Sequence, residues 1–311
     1  WDPDSLLSRP VFALGEVFLA DSTGDMGIDE ELFEDALAEA ADAGIPVTVH
    51  AEDADEFDDS VYGSDAGGTG RDADADLWSQ YRTAEAEIAA VEAACETARD
   101  AGTEIHVAHT STPEAADIAA DAGMSTEVTP HHLLLSREDA DELGTFGRMN
   151  PPLRSEERRE ALYERVVDGT VDVIATDHAP HTTAEKETGL WDAPSGVPGV
   201  ETMLPLLLAE VRSGDLSLER VRDLVATNPA ERFGLADKGR VEVGYDADLT
   251  LVDLEEPEPI RAEALHTKCN WTPFEGREAV FPELTVVDGG IVYDGRAGDR
   301  FTVGLGRNVR E

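Results

Sequence analysis

A parallel α/β fold is what this 311-residue sequence predicts, and three observations carry that expectation. Strand-like apolar runs begin near residues 11, 45, 104, 126 and 171 with helical patterns between them, the alternation of a parallel sheet or barrel. The last run, VDVIATDHAPH at 171–181, opens with Val171, Val173, Ile174 and Ala175, the composition of a strand buried on both faces. It ends abruptly in Asp177, His178, Pro180 and His181, groups that bind metals, move protons or stiffen a turn. Seven of the eight histidines fall on or just after these runs. In a parallel barrel the C-terminal ends of the strands are where chemistry is placed.

Each element has its own signal. Residues 11–20 (VFALGEVFLA) read as a strand interrupted by Gly15 and Glu16. From Asp29 to Ala43 the spacing of Leu32, Phe33, Ala36, Leu37 and Ala40 predicts an amphipathic helix closed by Gly44. Ile45 to His50 is the next strand, and the Asp- and Gly-rich stretch from Glu52 to Ser79 reads as a solvated loop. An Ala- and Glu-rich helix from Thr83 to Ala101 leads to a strand from Glu104 to His109. Pro113 opens a helix reaching Ala122. Thr126 to Leu135 reads as a strand running through Pro130, His131 and His132. A helix from Glu156 to Val167 precedes the strand at Val171, and helices from Gly199 to Val211 and Leu218 to Ala226 follow. After Leu235 the texture changes to VEVGYDADLTLVDL and LTVVDGGIVYDG, β-patterned with Gly and Asp turns. Residues 1–235 are therefore expected to form the catalytic α/β domain and 236–311 a small β-domain.

Composition narrows the function. Against 68 acidic residues stand 24 basic ones, a formal net charge of -44, and only Lys186, Lys238 and Lys268 are lysines. The acidic residues are spread through helices and loops, so a disordered acidic tail is not their source. In molar salt the screening length falls to roughly 3 Å and self-repulsion fades; the charge reads as adaptation to a salty cytoplasm. Nucleic acid and anionic membrane would both be repelled and are excluded as partners. A cation-storage role would need clustered acidic loops at ligand spacing, and none is visible. No apolar run approaches the roughly 20 residues of a membrane span. Cys95 in a helix and Cys269 in a loop argue for packing roles and a reducing compartment rather than a disulfide framework. No signal peptide is visible, and the sequence starts at Trp1, so the true N-terminus is expected to lie outside it.

Polar groups stand at or near the end of each strand: Glu16, His50, His109, the pair His131 and His132, and Asp177. Taken singly, each reads as a hydrogen-bonded structural residue. Their recurrence at equivalent positions points to one cavity, and imidazole with carboxylate is the ligand set of a zinc-type hydrolytic site. The ordered motifs also resemble the dihydroorotase branch of the amidohydrolase superfamily. They are HAED at 50–53, HVAHTST at 106–112, EVTPHHL at 127–133, NPPLR at 150–154, ATDHAPHT at 175–182, APSG at 193–196 and KCNWTPFEG at 268–276. NPPLR combined with TDHAPH favours the dihydroorotase pattern over that of allantoinases and dihydropyrimidinases.

The resemblance implies a (β/α)8 TIM barrel of the metal-dependent hydrolase type, with strands one to three missing here. It also implies that 236–311 holds the C-terminal part of a small β-sandwich and a return segment to the barrel. It implies Zn2+, as two adjacent divalent metal ions per subunit. His50 and His109 match the ligands of the second metal, and Asp177 matches the carboxylate that binds the first and acts as general base. Asn150, His181 and the Ser195–Gly196 backbone match substrate-holding positions. The family's reaction is the reversible cyclisation of N-carbamoyl-L-aspartate to (S)-dihydroorotate in de novo pyrimidine (UMP) synthesis. The implied partner is that small molecule, and a homo-oligomer is compatible with the chain.

Two departures shape the expectation. The family's His-x-His pair on strand one is absent, and the sequence begins in strand four; it is expected to be a fragment. As a whole protein it is expected to be inactive and poorly folded, with five strands leaving two raw edges. Secondly, the lysine that many relatives carry on strand four, carboxylated to bridge the metals, is matched by Glu16 in GEVFLADSTGDM. Glu16 is expected to bridge the metals directly; the alternative is a single-metal site with Glu16 beside it. His106, His131, His132 and His178 are expected to orient the metal ligands by hydrogen bonding, and His266 to lie at a surface or interface. Two other functions stay open: another cyclic amidohydrolase of allantoinase or hydantoinase type, and an inactive homologue serving as partner or scaffold.

Overall fold

The computed structural model describes residues 6–22, 25–64, 68–298, 300–304 and 306–309. Strand β1 (Leu14–Phe18) is followed by α1 (Glu30–Ala43), whose Asp29 cap accepts from Leu32 N–H and whose end is closed by left-handed Gly44. Strand β2 (Val47–His50) ends on a histidine. The stretch 52–79 is not one solvated loop: its last residues enter helix α2 (Asp76–Tyr81), where Trp78 is buried against Leu190 and Ala73. The acidic, glycine-rich composition masked this short apolar anchor. Helix α3 (Ala84–Ala101), strand β3 (Ile105–Val107) and helix α4 (Pro113–Asp121) follow as the patterns predict.

A second correction concerns 126–135. Strand β4 (Ser125–Val128) stops at Val128, and Pro130–Leu134 form a buried helical turn, α5. Proline in the first turn is pre-set for a helix, and the Thr129 side chain caps it by accepting from His132 N–H. Tertiary context thus places His131 and His132 on a helix behind the sheet. Helices α6 (Ala140–Leu143) and α7 (Glu156–Asp168) precede strand β5 (Val173–Ile174), the buried core of the 171–175 run. Next come α8 (Thr183–Lys186) and α9 (Met203–Ser213). The helix expected at 218–226 is instead α10 (Leu218–Arg222), a π-helical turn at Asp223–Thr227, and α11 (Asn228–Arg232), running on to Arg232.

The first five strands form one parallel sheet in the order β1-β2-β3-β4-β5. Sequence order equals spatial order, so each helix crosses over to the adjacent strand, as in an arc of a (β/α) barrel. The apolar stripes of α1 and α3 (Phe33, Leu37, Val91 and Cys95 among them) pack on Val47, Val49, Ile105 and Val107. Leu162, Val166, Leu207 and Leu224 cover Val128 and Ile174. Cys95 and Cys269 are both buried free thiols.

Beyond Leu235 the chain forms β6 (Leu249–Val252), β7 (Glu258–Pro259), β8 (Glu278–Ala279), β9 (Pro282–Val287), β10 (Gly290–Asp294) and β11 (Arg300–Phe301). Four of them pair antiparallel in the order β11-β10-β9-β6. Residues 241–244 (VEVG) are not a strand: the segment turns with Val241 and Val243 exposed, because among the described residues no strand pairs with it. Between the two halves of this region Ile260, Trp271 and Phe274 return to pack with Phe146, Met149 and Leu153.

Candidate metal centre and substrate cavity

Parallel pairing aligns Phe18 with His50, which brings the ends of β1 and β2 together. Gly15 makes the close approach possible: a Cβ there would lie 2.4 Å from the Thr48 carbonyl oxygen. Glu16 then faces His50 and His109. Glu16 Oε1 lies 2.7 Å from His109 Nε2 and 3.4 Å from His50 Nδ1, and the two imidazole nitrogens are 3.0 Å apart. Two imidazole nitrogens and a carboxylate oxygen are a borderline-soft donor set. Ligands about 2.0–2.2 Å from a tetrahedral ion would themselves be roughly 3.3–3.6 Å apart; the longest side of this triangle matches, and the two shorter ones need to open by a few tenths of an ångström. The three residues therefore fit a divalent cation, and they form the one cluster of at least three such ligand atoms within 4.8 Å of one another among the described residues.

A buried carboxylate orients the pair. His50 Nε2 donates to Glu52 Oε2 at 2.9 Å, which leaves Nδ1 turned toward Glu16 and His109. Arg82 forks Glu52, with Nη2 at 2.5 Å and Nε at 3.1 Å from each carboxylate oxygen. Burial raises the Glu52 carboxyl, but Arg82 and His50 outweigh it and hold it well below the usual carboxylate range. Burial likewise raises Glu16, and the hydrogen bonds and charges of His109 and His50 pull it well below normal. For His109 burial acts downward, yet Glu16 and Asp177 push it up to about 9.

Asp177 lies just beyond β5 and, like His109, has a non-glycine backbone in the left-handed region, with φ of 42° and 37° respectively. Such conformations cost of order 1–3 kcal/mol each and gather at functional sites. Desolvation raises the Asp177 carboxyl against the pull of His109, the direction that suits a proton carrier.

A cavity of ≈ 220 Å³ collects these groups: Glu16, His50, His109 and Asp177 line it together with Asn150, Ser195 and Gly196. Phe18, Ser22, Met26 and Ala179 complete the wall. Asp177 shares the cavity without belonging to the three-atom ligand cluster. His181 is the one expected site residue that does not line it. Its Nε2 donates to the Ser195 carbonyl at 3.0 Å, and its own carbonyl accepts from Trp271 Nε1 at 2.7 Å.

The substrate-side wall is held from behind. Asn150 Oδ1 accepts from Trp78 Nε1 at 3.0 Å, and its Nδ2 lies 3.2 Å from Ser22 Oγ. Gly196 N–H donates to the Arg148 carbonyl at 3.0 Å. Its φ of +118° and a hypothetical Cβ 2.5 Å from Ala179 Cβ make any side chain there strained. Lys186 is fully buried and donates to the carbonyls of Pro194 and Arg148 at 2.8 and 3.1 Å. Burial and neighbouring Arg148 lower its ammonium to about 7.

The remaining histidines do not orient the metal ligands, contrary to expectation. His106 bonds Ser125 and Glu127, and His178 Nδ1 accepts from Gly199 N–H. His132 bonds Thr129 and the Pro151 carbonyl, so it supports the Asn150 segment. His131 packs on His132 in α5. Exposed His266 pairs with Glu201. Sequence reasoning missed Glu52, although a carboxylate two residues after His50 in HAED is a usable signal; Arg82 and Lys186 carried none.

Comparison with known proteins places these motifs. A model of the amidohydrolase family matches residues 21–292. The dihydroorotase of Halobacterium salinarum is 60% identical over 311 residues, which covers 100% of this chain and 71% of that protein. The dihydroorotase of Methanosarcina mazei is 44% identical over 299 residues, covering 91% and 64%. The chain thus spans about two thirds of the length of these relatives. Among solved structures, the L-hydantoinase (dihydropyrimidinase) of Arthrobacter aurescens aligns with a TM-score of 0.85 at 28% identity, covering 94% of this chain and 65% of that one.

Proposed function

This chain belongs to the amidohydrolase family, and on that premise we propose that it is a dihydroorotase, reversibly hydrolysing (S)-dihydroorotate to N-carbamoyl-L-aspartate for pyrimidine (UMP) synthesis in a salt-rich cytoplasm. What carries the reading is the convergence of Glu16, His50 and His109 with Asp177, Asn150, Ser195 and Gly196 on one cavity.

Glu16, His50 Nδ1 and His109 Nε2 would hold a divalent cation, a donor set that suits Zn2+, and Glu16 would be the carboxylate shared with a second. A cation there supplies Lewis-acid polarisation of the ring carbonyl and lowers the pKa of water beside it. Asp177 is the general base: its carboxylate takes a proton from the attacking water and passes it to the ring nitrogen as the C–N bond breaks. Asn150 and the Ser195–Gly196 backbone orient the anionic ring, and their shared tethers to Trp78, Arg148 and Lys186 keep them in register. His181 holds the Ser195 carbonyl and so the strap that carries Gly196.

The test is ring opening of dihydroorotate by the full-length protein in high salt, with and without a chelator. Turnover abolished by chelation and restored by zinc is expected. Chelator-insensitive turnover, or hydrolysis of hydantoin with dihydroorotate untouched, would overturn the reading.

A further inference from the structure

We propose that Arg148 and Lys186 are specificity-determining residues: together they form a carboxylate-free cationic wall behind the cavity that selects an anionic cyclic amide over a neutral one. The proposal rests on the cyclic-amidase reading above.

Two other buried arginines are neutralised: Arg82 by Glu52 and Arg154 by Glu87. Arg148 and Lys186 make no ion pair with a carboxylate among the described residues, in a chain with 68 acidic residues and 24 basic ones. Their partners are neutral instead. The Lys186 ammonium meets the carbonyls of Pro194 and Arg148 and lies 5.6 Å from the Trp271 ring centre. The Arg148 guanidinium stacks 3.8 Å from the Trp78 ring centre, gives Nη1 to the Leu190 carbonyl at 2.6 Å, and reaches Ser195 Oγ with Nε at 3.3 Å. Carbonyls and ring faces satisfy a cation without cancelling its charge. Asp192 acts on Arg148 only from beyond ion-pair distance.

Position turns this charge into a selector. Arg148 touches the cavity-lining Ser195 and lies two residues from Asn150; Lys186 bonds Pro194, the residue before Ser195. The same lining carries the carboxylates of Glu16 and Asp177, and the whole chain carries a net charge of -44. An anion entering this cavity needs preorganised positive charge to offset those carboxylates. Burial and Arg148 depress Lys186, and burial and Arg82 depress Arg148, as befits cations without a counter-ion.

Calorimetric titration of the full-length, zinc-loaded protein with dihydroorotate and with dihydrouracil, the same ring lacking the carboxylate, tests this. Arg148→Gln should weaken dihydroorotate several-fold, the loss of a unit charge screened at an effective dielectric constant of about 20, and Lys186→Met by less, because an ammonium lowered to about 7 is only partly charged at neutral pH. With Arg148→Gln dihydrouracil should change by less than about twofold, and charge-conserving Arg148→Lys should keep most of the discrimination; Lys186→Met also removes the donor to the Pro194 and Arg148 carbonyls, so for it the readout is the ratio of the two affinities, which should fall. Equal weakening of both ligands, or unchanged dihydroorotate binding, overturns the proposal. Should Lys186→Met not fold, Arg148→Gln with its lysine control decides alone. Failure of the unmutated protein to bind dihydroorotate sinks the functional reading itself; intact binding with insensitive variants sinks only the cationic wall.

Discussion

Glu52→Gln keeps the shape of a side chain while removing the charge on which two others depend. Glu52 has no solvent exposure, accepts from His50 Nε2 at 2.9 Å and is forked by Arg82 at 2.5–3.1 Å. Glutamine leaves the Arg82 guanidinium buried without its carboxylate, a loss of roughly 3–5 kcal/mol for breaking one side of a buried pair. It also frees the His50 ring, and loss of a ligand-orienting partner lowers metal affinity about 10–100-fold. The two effects are separable: urea unfolding of chelator-treated protein reads the first, and zinc competition against a chromophoric chelator reads the second. The pH dependence has a definite sign. Because the folded Glu52 carboxyl is held below its ordinary value of 4.5, its contribution is fully present above that pH and is lost as pH falls toward the folded value. The stability gap between the parent protein and Glu52→Gln should therefore be constant near neutrality and narrow below about pH 4.5. Parent-like unfolding at pH 7, together with parent-like zinc affinity, would refute the reasoning.

Three further outcomes are expected. Neutral His132 donates to the Pro151 carbonyl and accepts from the Thr129 hydroxyl, and burial lowers it from 6.5 to about 3. Between those values the unfolded chain binds a proton that the folded one refuses, so stability decreases as the pH is lowered across that window, by at most about 4–5 kcal/mol. His132→Gln should flatten this part of an unfolding-versus-pH series, and an unchanged slope would exclude the assignment. Gly196→Ala, at φ +118° with its new Cβ 2.5 Å from Ala179 Cβ, should cost about 1–3 kcal/mol and raise KM for dihydroorotate; a parent-like KM would contradict the role of the strap. Asp177→Asn should lower kcat by about 10²–10⁴, and near-normal turnover would remove Asp177 from the chemistry.

What the sequence made legible follows from how locally each feature is encoded. Caps and periodicity placed α1 and α3 within a residue or so, because Asp29, Gly44, Thr83 and Gly102 close those helices through their own side chains or backbone. Strand order followed from alternation, and the motif residues converge because parallel strands point one way. The 130–134 turn was misjudged because an apolar run with histidines reads as a strand until Pro130 and Thr129 are weighed as a helix start. Helix α2 was hidden by its acidic flanks. The supports of the site were illegible for a different reason. Arg82 meets Glu52 30 residues away, Arg148 meets Leu190 and Ser195 42 and 47 away, and Lys186 meets Arg148 38 away, and no local pattern announces a cation that will be buried. His181 stands in the motif, but the contact of its ring with the Ser195 carbonyl, 14 residues on, is one that no local pattern encodes.

Anomalous diffraction at the zinc edge from crystals of the zinc-loaded protein tests the account most directly. It predicts density about 2.0–2.2 Å from Glu16 Oε1, His50 Nδ1 and His109 Nε2, with a second peak across the Glu16 carboxylate. Zinc bound elsewhere, with these three side chains keeping only their contacts to one another, would contradict it.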